Sequence, residues 1–84
     1  MSPFPRRRRI LVVDDDEMTL RLVTGLFEGA HSVVSTGNVT EALAHVETGR
    51  FDLVITDLEM PGLDGTDLIR GLASRSTNLP ILVV

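Results

Sequence analysis

Ile10-Leu11-Val12-Val13-Asp14-Asp15-Asp16 joins four consecutive aliphatic residues directly to three consecutive acids. A run that is apolar at every position, without alternation, suits a strand covered on both faces, as in the centre of a parallel sheet. The acids then mark the strand's carboxyl end. Beyond them, two apolar sets, Met18, Leu22, Leu26 and Leu20, Val23, Phe27, recur at helical spacing. Asp16 is a plausible N-cap for that helix, Glu17 suits its first turn and Gly29 its stop.

The same alternation continues toward the C-terminus. His31 to Ser35 reads as a weaker strand around Val33-Val34, broken by Gly37-Asn38. Asn38 with Glu41 three residues on forms a relaxed capping box, and Ala42, Leu43 and Val46 give the inward face of a second helix ending at Gly49. Leu53-Val54-Ile55-Thr56 is another buried type of strand, ending on Asp57. Pro61, Gly62 and Gly65 predict a loop. Asp64 can cap a third helix through Leu68, Ile69 and Leu72, and Asn78-Leu79-Pro80 leads into Ile81-Leu82-Val83-Val84. The expected fold is α/β, with four parallel strands and right-handed helical crossovers. Residues 1–8, with two prolines and the start of the run Arg6-Arg7-Arg8-Arg9, read as a basic flexible arm.

Composition narrows the chemistry. The 84 residues contain no cysteine, so a disulfide framework, a thiolate zinc site and a cysteine nucleophile are excluded. All eight basic residues are arginine, which excludes any lysine chemistry from this sequence. With 43% hydrophobic residues the chain has the makings of a core, and with 4% aromatic residues that core is aliphatic. A net charge of −4 disfavours nucleic acid as a general partner. No apolar run is long enough to span a membrane and no signal peptide is evident, so a cytoplasmic protein is expected.

Asp14 and Asp15 follow the first strand, and Asp57 follows the third. In a doubly wound sheet of order 2-1-3-4 those strands are neighbours, and ligands bind at their carboxyl ends, where the strand order reverses. Three carboxylates converging there raise one another's pKa unless a cation neutralises them. Oxygen-only ligands suit Mg2+. A metal beside a carboxylate nucleophile fits phosphoryl chemistry. Other readings fare worse. A phosphohydrolase with an aspartate nucleophile wants a second aspartate where Glu59 stands. A calcium loop fails at Met18, and a nucleotide fold lacks a glycine-rich first turn. His31 and His45 read as structural residues.

Ile10-Leu11-Val12-Val13-Asp14-Asp15-Asp16, Leu53-Val54-Ile55-Thr56-Asp57-Leu58-Glu59-Met60-Pro61-Gly62-Leu63-Asp64-Gly65 and Leu79-Pro80-Ile81-Leu82-Val83-Val84 together resemble the receiver domain of bacterial two-component response regulators. The resemblance covers residues 9–84 and implies a flavodoxin-like doubly wound sheet. It implies that Asp57 is the phosphoacceptor, taking a phosphoryl group from a phosphohistidine of a sensor histidine kinase or phosphotransfer protein. By the same likeness, Asp15 is a direct Mg2+ ligand and Asp14 acts mainly through a water on the metal. The backbone carbonyl of Glu59 is a further ligand, and its side chain slows reaction at the site by repulsion. Pro61 and Gly65 shape the loop beneath the site. The activity expected is self-phosphorylation and dephosphorylation at most, without turnover of a substrate.

Against that family the chain is expected to be truncated. The fifth strand, the last two helices, the usual lysine and the usual threonine or serine after the fourth strand are not in this sequence. The expected consequences are a homodimer, formed through the exposed fourth-strand edge or the bare sheet face, and an alternative function as a phosphorylation-impaired interaction module.

Overall fold

The computed structural model describes residues 7–57, 65–75 and 79–83. Strands and helices alternate along the chain: β1 (Arg9–Val13), α1 (Glu17–Phe27), β2 (Ser32–Thr36), α2 (Val39–Thr48), β3 (Leu53–Thr56), α3 (Gly65–Arg75) and β4 (Ile81–Val83). All pairings are parallel, as the alternation predicts, and the order β2-β1-β3-β4 is that of the expected doubly wound sheet. β1 is flanked on both sides, which accounts for a strand whose Ile10, Leu11, Val12 and Val13 are all buried.

Register divides the core. Leu11 pairs with Val54, whereas Ile10 pairs with Leu53 and Val12 with Ile55. Because side chains alternate across a sheet, these rows point to opposite faces. Leu11, Val13 and Val54 pack with Val39 and Ala42 of α2 and Leu68 and Leu72 of α3. Ile10, Val12 and Ile55 pack against Leu20, Val23 and Phe27 of α1. The result is three layers, with one helix on one face and two on the other. Each fully buried aliphatic side chain contributes about 1.5–3 kcal/mol of transfer free energy.

The helix ends follow the sequence closely. The Asp16 carboxylate accepts the Thr19 amide at the start of α1, and Asn38 accepts the Glu41 amide at the start of α2. α1 ends at Phe27, two residues before Gly29, with Glu28 as its C-cap. Gly65 opens α3, so it stands at the border of the expected loop. Asp64, the expected cap, lies outside the described residues, as do residues 1–6 of the arm.

Arg7 and Arg8 are held at the end of the sheet remote from the acids. Arg7 Nη2 donates to the His31 carbonyl at 3.2 Å, and the Arg8 amide donates to His31 Nδ1 at 3.0 Å. The Arg9 amide donates to Asp52 at 2.8 Å, and its guanidinium lies 4.8 Å from the Phe51 ring centre. His31 is thereby a structural acceptor, as expected. Among the described residues, no helix is long and apolar enough to cross a membrane.

Candidate functional site

The carboxyl ends of β1 and β3 stop at the same height, because Val13 pairs with Thr56. The ladder runs one step beyond both strands: the Asp57 amide donates to the Val13 carbonyl at 3.2 Å and the Asp14 amide to the Thr36 carbonyl at 3.1 Å. Asp14 and Asp57 are thus fixed by the backbone of neighbouring strands. One carboxylate oxygen each from Asp14, Asp15 and Asp57 lies within 4.8 Å of the others.

The three acids differ in their surroundings. Asp14 is 6% exposed, Asp57 is half-buried and Asp15 is exposed. Burial raises the Asp14 pKa above the ordinary carboxylate range, and the charges of Asp57, Asp15 and Asp16 push in the same direction. A hydrogen bond from the Asp16 amide to Asp14 Oδ1, 2.9 Å long, opposes the shift and fixes the side chain. A pocket of crowded, partly desolvated carboxylates gains from a cation. Its donors are all hard oxygens, without nitrogen or sulfur, and that set suits Mg2+.

Asp16, the third acid of the run, is outside this cluster. Its carboxylate accepts the Thr19 hydroxyl, which lowers its pKa, the opposite shift to that of Asp14. Beneath Asp57, the buried Thr56 hydroxyl donates to the Asp57 carbonyl at 3.0 Å and steadies the main chain at the end of β3. Glu59 and Pro61 lie outside the described residues.

Nothing in the local sequence pattern marks Thr36, yet it sits directly behind Asp14. Its side chain is buried, donating to Glu41 Oε2 at 2.6 Å and accepting the Asn38 amide at 3.2 Å. The β1–β2 register brings it there, and register is a property of two strands rather than of either sequence alone.

α1 carries a second apolar face. Met18, Leu22 and Leu26 are 70%, 66% and 77% exposed, and this stripe begins three residues beyond Asp15. Leu82 and Val83 of the edge strand β4 are also exposed, at 49% and 42%.

A family model for the response regulator receiver domain matches residues 10–84. The chain is 42% identical over 76 residues to the two-component response regulator PhoP of Pseudomonas aeruginosa, covering 88% of this chain and 34% of that protein. It is 35% identical over 80 residues to the chemotaxis protein CheY of the same species, covering 90% of this chain and 64% of that protein. Among solved structures, the chemotaxis response regulator CheY4 of Vibrio cholerae superposes with a TM-score of 0.87 at 27% identity, covering 93% of this chain and 68% of that one. A response regulator receiver protein from Pseudomonas putida gives a TM-score of 0.82 at 33% identity, covering 96% of this chain and 69% of that one. The chain thus spans about a third of the PhoP relative and less than two thirds of the CheY relative.

Proposed function

The chain belongs to the response regulator receiver family of two-component signalling, and from that membership we propose that it accepts a phosphoryl group on Asp57 from a phosphohistidine of a sensor histidine kinase or phosphotransfer protein. The observation that carries this reading is the meeting of Asp14, Asp15 and Asp57 from two adjacent strand ends. Asp14 and Asp15 would hold Mg2+ with Asp57, and the carbonyl of Glu59 would complete the protein's ligands. When bound, Mg2+ supplies the positive charge that offsets the carboxylates and the phosphoryl oxygens.

Asp57 is the nucleophile. One carboxylate oxygen forms a bond to phosphorus as the donor's N–P bond breaks, and the imidazole nitrogen keeps that electron pair. Asp57 has the exposure the step requires, since it is half-buried at a strand end rather than enclosed. The backbone bond to Val13 and the Thr56 hydroxyl hold its main chain in place. By the family pattern Pro61 and Gly65 would shape the loop beneath the site, and the Glu59 side chain would slow the transfer by repulsion. The chain modifies and demodifies itself, without turnover of a substrate, and works in the cytoplasm without binding nucleic acid.

Incubation with acetyl phosphate and Mg2+, followed by intact-mass measurement, tests the reading. The wild-type chain gains one phosphoryl group and Asp57→Asn gains none. Absence of the adduct from wild type, under conditions that label a longer receiver, overturns it.

A second reading follows from the lysine count, which is zero, so that no lysine side chain among these 84 residues can pair with a phosphoryl oxygen. It makes the chain a receiver-fold interaction module impaired in phosphorylation, and its mark is stabilisation by Mg2+ without the adduct. In either case we propose a homodimer through the β4 edge, where Leu82 and Val83 are exposed. Sedimentation showing only monomer removes that proposal.

A further inference from the structure

The junction between β2 and α2 packs against the backbone of the two acids that follow β1. A Cβ built on Gly37 would lie 3.2 Å from the Asp14 carbonyl oxygen and 3.6 Å from the Asp15 Cα. The first distance is tighter than ordinary van der Waals contact, and both neighbours are main chain. Asp14 has little room to retreat: its amide is bonded to the Thr36 carbonyl and its carboxylate to the Asp16 amide. Gly37 is held in turn. Thr36, immediately before it, is 5% exposed and donates its hydroxyl to Glu41. That hydroxyl also accepts the Asn38 amide, and the Asn38 side chain accepts the Glu41 amide at 3.0 Å. The closed set of bonds ties the loop to the first turn of α2.

We propose that Gly37, clamped by the Thr36–Glu41 hydrogen bond, is a positioning residue that sets the Asp14–Asp15 backbone for Mg2+ rather than for a larger divalent cation. The inference rests on the reading of Asp14 and Asp15 as Mg2+ ligands. Its chemistry is a matter of tolerance. Mg2+ demands near-ideal octahedral geometry at about 2.0–2.1 Å, whereas Ca2+ accepts irregular shells at about 2.3–2.6 Å. A shift of a few tenths of an ångström in the ligand backbone is on the scale of that difference. The absent side chain at position 37 leaves the acids where the smaller ion needs them.

The test is calorimetric titration of the chain with Mg2+ and separately with Ca2+, for wild type, Gly37→Ala, Thr36→Val and Thr36→Ser. Gly37 does not lie in the left-handed region that favours glycine, so alanine meets no strain of that kind and the substitution acts on the folded chain through the new contact. Gly37→Ala is expected to weaken Mg2+ binding by about 10-fold or more, the usual effect of disturbing an outer-shell partner, while Ca2+ binding changes far less. Thr36→Val moves the Mg2+/Ca2+ ratio in the same direction, and Thr36→Ser, which keeps the hydroxyl, restores it. A merely structural contribution would lower thermal stability and leave the ratio alone.

Wild type that binds both ions, with a Gly37→Ala variant keeping the wild-type ratio, overturns the inference and spares the metal reading. Thr36→Ser behaving as Thr36→Val does overturns the clamp. Wild type that binds neither ion overturns the metal reading, and the inference with it.

Discussion

The Asp16 carboxylate accepts the Thr19 hydroxyl at 2.6 Å and the Thr19 amide at 3.3 Å, closing the first turn of α1 on itself. Three consecutive aspartates therefore divide between two tasks. Asp14 and Asp15 face Asp57, and Asp16 starts the helix.

This division is measurable. Asp16→Ala is expected to lower stability by about 1 kcal/mol, the usual effect of losing an N-cap. Mg2+ affinity should stay at the wild-type value. Denaturant titration gives the first quantity and calorimetry the second. A large loss of Mg2+ binding would place Asp16 among the ligands.

Asp14 carries a pH dependence of definite sign. Its folded pKa is raised above the ordinary 3.8, chiefly by burial. The folded state therefore holds this proton to higher pH than the unfolded chain does, and the contribution to stability falls as pH rises from 3.8 through the raised value. Above that window the loss is complete. In chelator, Asp14→Asn is expected to melt higher than wild type at neutral pH, with the gap closing in acid. The asparagine oxygen can still accept the Asp16 amide. Adding Mg2+ should stabilise wild type more than the variant. Melting curves across pH, with and without metal, check both statements.

The two apolar faces of α1 should respond differently. Leu20 packs on Ile10, Val12 and Ile55, and Leu20→Ala is expected to destabilise by about 1–2 kcal/mol for a half-buried leucine. Leu22 is 66% exposed, and Leu22→Gln should remain within about 0.5 kcal/mol of wild type. If Asp57 is phosphorylated as proposed, that variant should keep its labelling by acetyl phosphate and lose rate with a protein donor that docks on the α1 surface beside the acids. Equal loss with both donors would contradict this use of the stripe.

Gly71 of α3 lies against α2, and a Cβ there would fall 2.7 Å from Leu43 Cδ2 and 3.0 Å from its Cδ1. Leu43→Ala opens space at that spot, and Gly71→Ala refills part of it. The double variant is expected to be about 1 kcal/mol more stable than the sum of the single changes. A double-mutant cycle in urea measures the coupling. Strict additivity would mean that the two positions do not share this contact.

Much of this architecture is written locally. Ile10 to Val13 is apolar throughout because it lies between two strands and two helical layers, and the sequence shows that condition directly. Asp16 and Asn38 announce their helices through side chains that bond within the first turn. The split of α1 is less legible. Met18, Leu22 and Leu26 recur at helical spacing just as Leu20, Val23 and Phe27 do, in steps of three or four, and only the sheet decides which three are covered. Thr36 and Gly37 are hidden for a similar reason. Their partner is Asp14, more than twenty positions away, and the pairing of β1 with β2 creates the contact.

The placement of β1 between β2 and β3 also governs how the molecule assembles. Pairing with β3 closes a stretch of chain a little under twice as long as pairing with β2 does. Loop entropy grows only logarithmically, by about 0.6 kcal/mol per doubling, so recruiting the later strand is scarcely harder than recruiting the nearer one. Separation along the polypeptide is thus nearly free to vary through insertions. What tolerates no drift is the rung at which each strand stops, for a slip of a single residue would turn every side chain over and carry Asp57 off the level of its two companions.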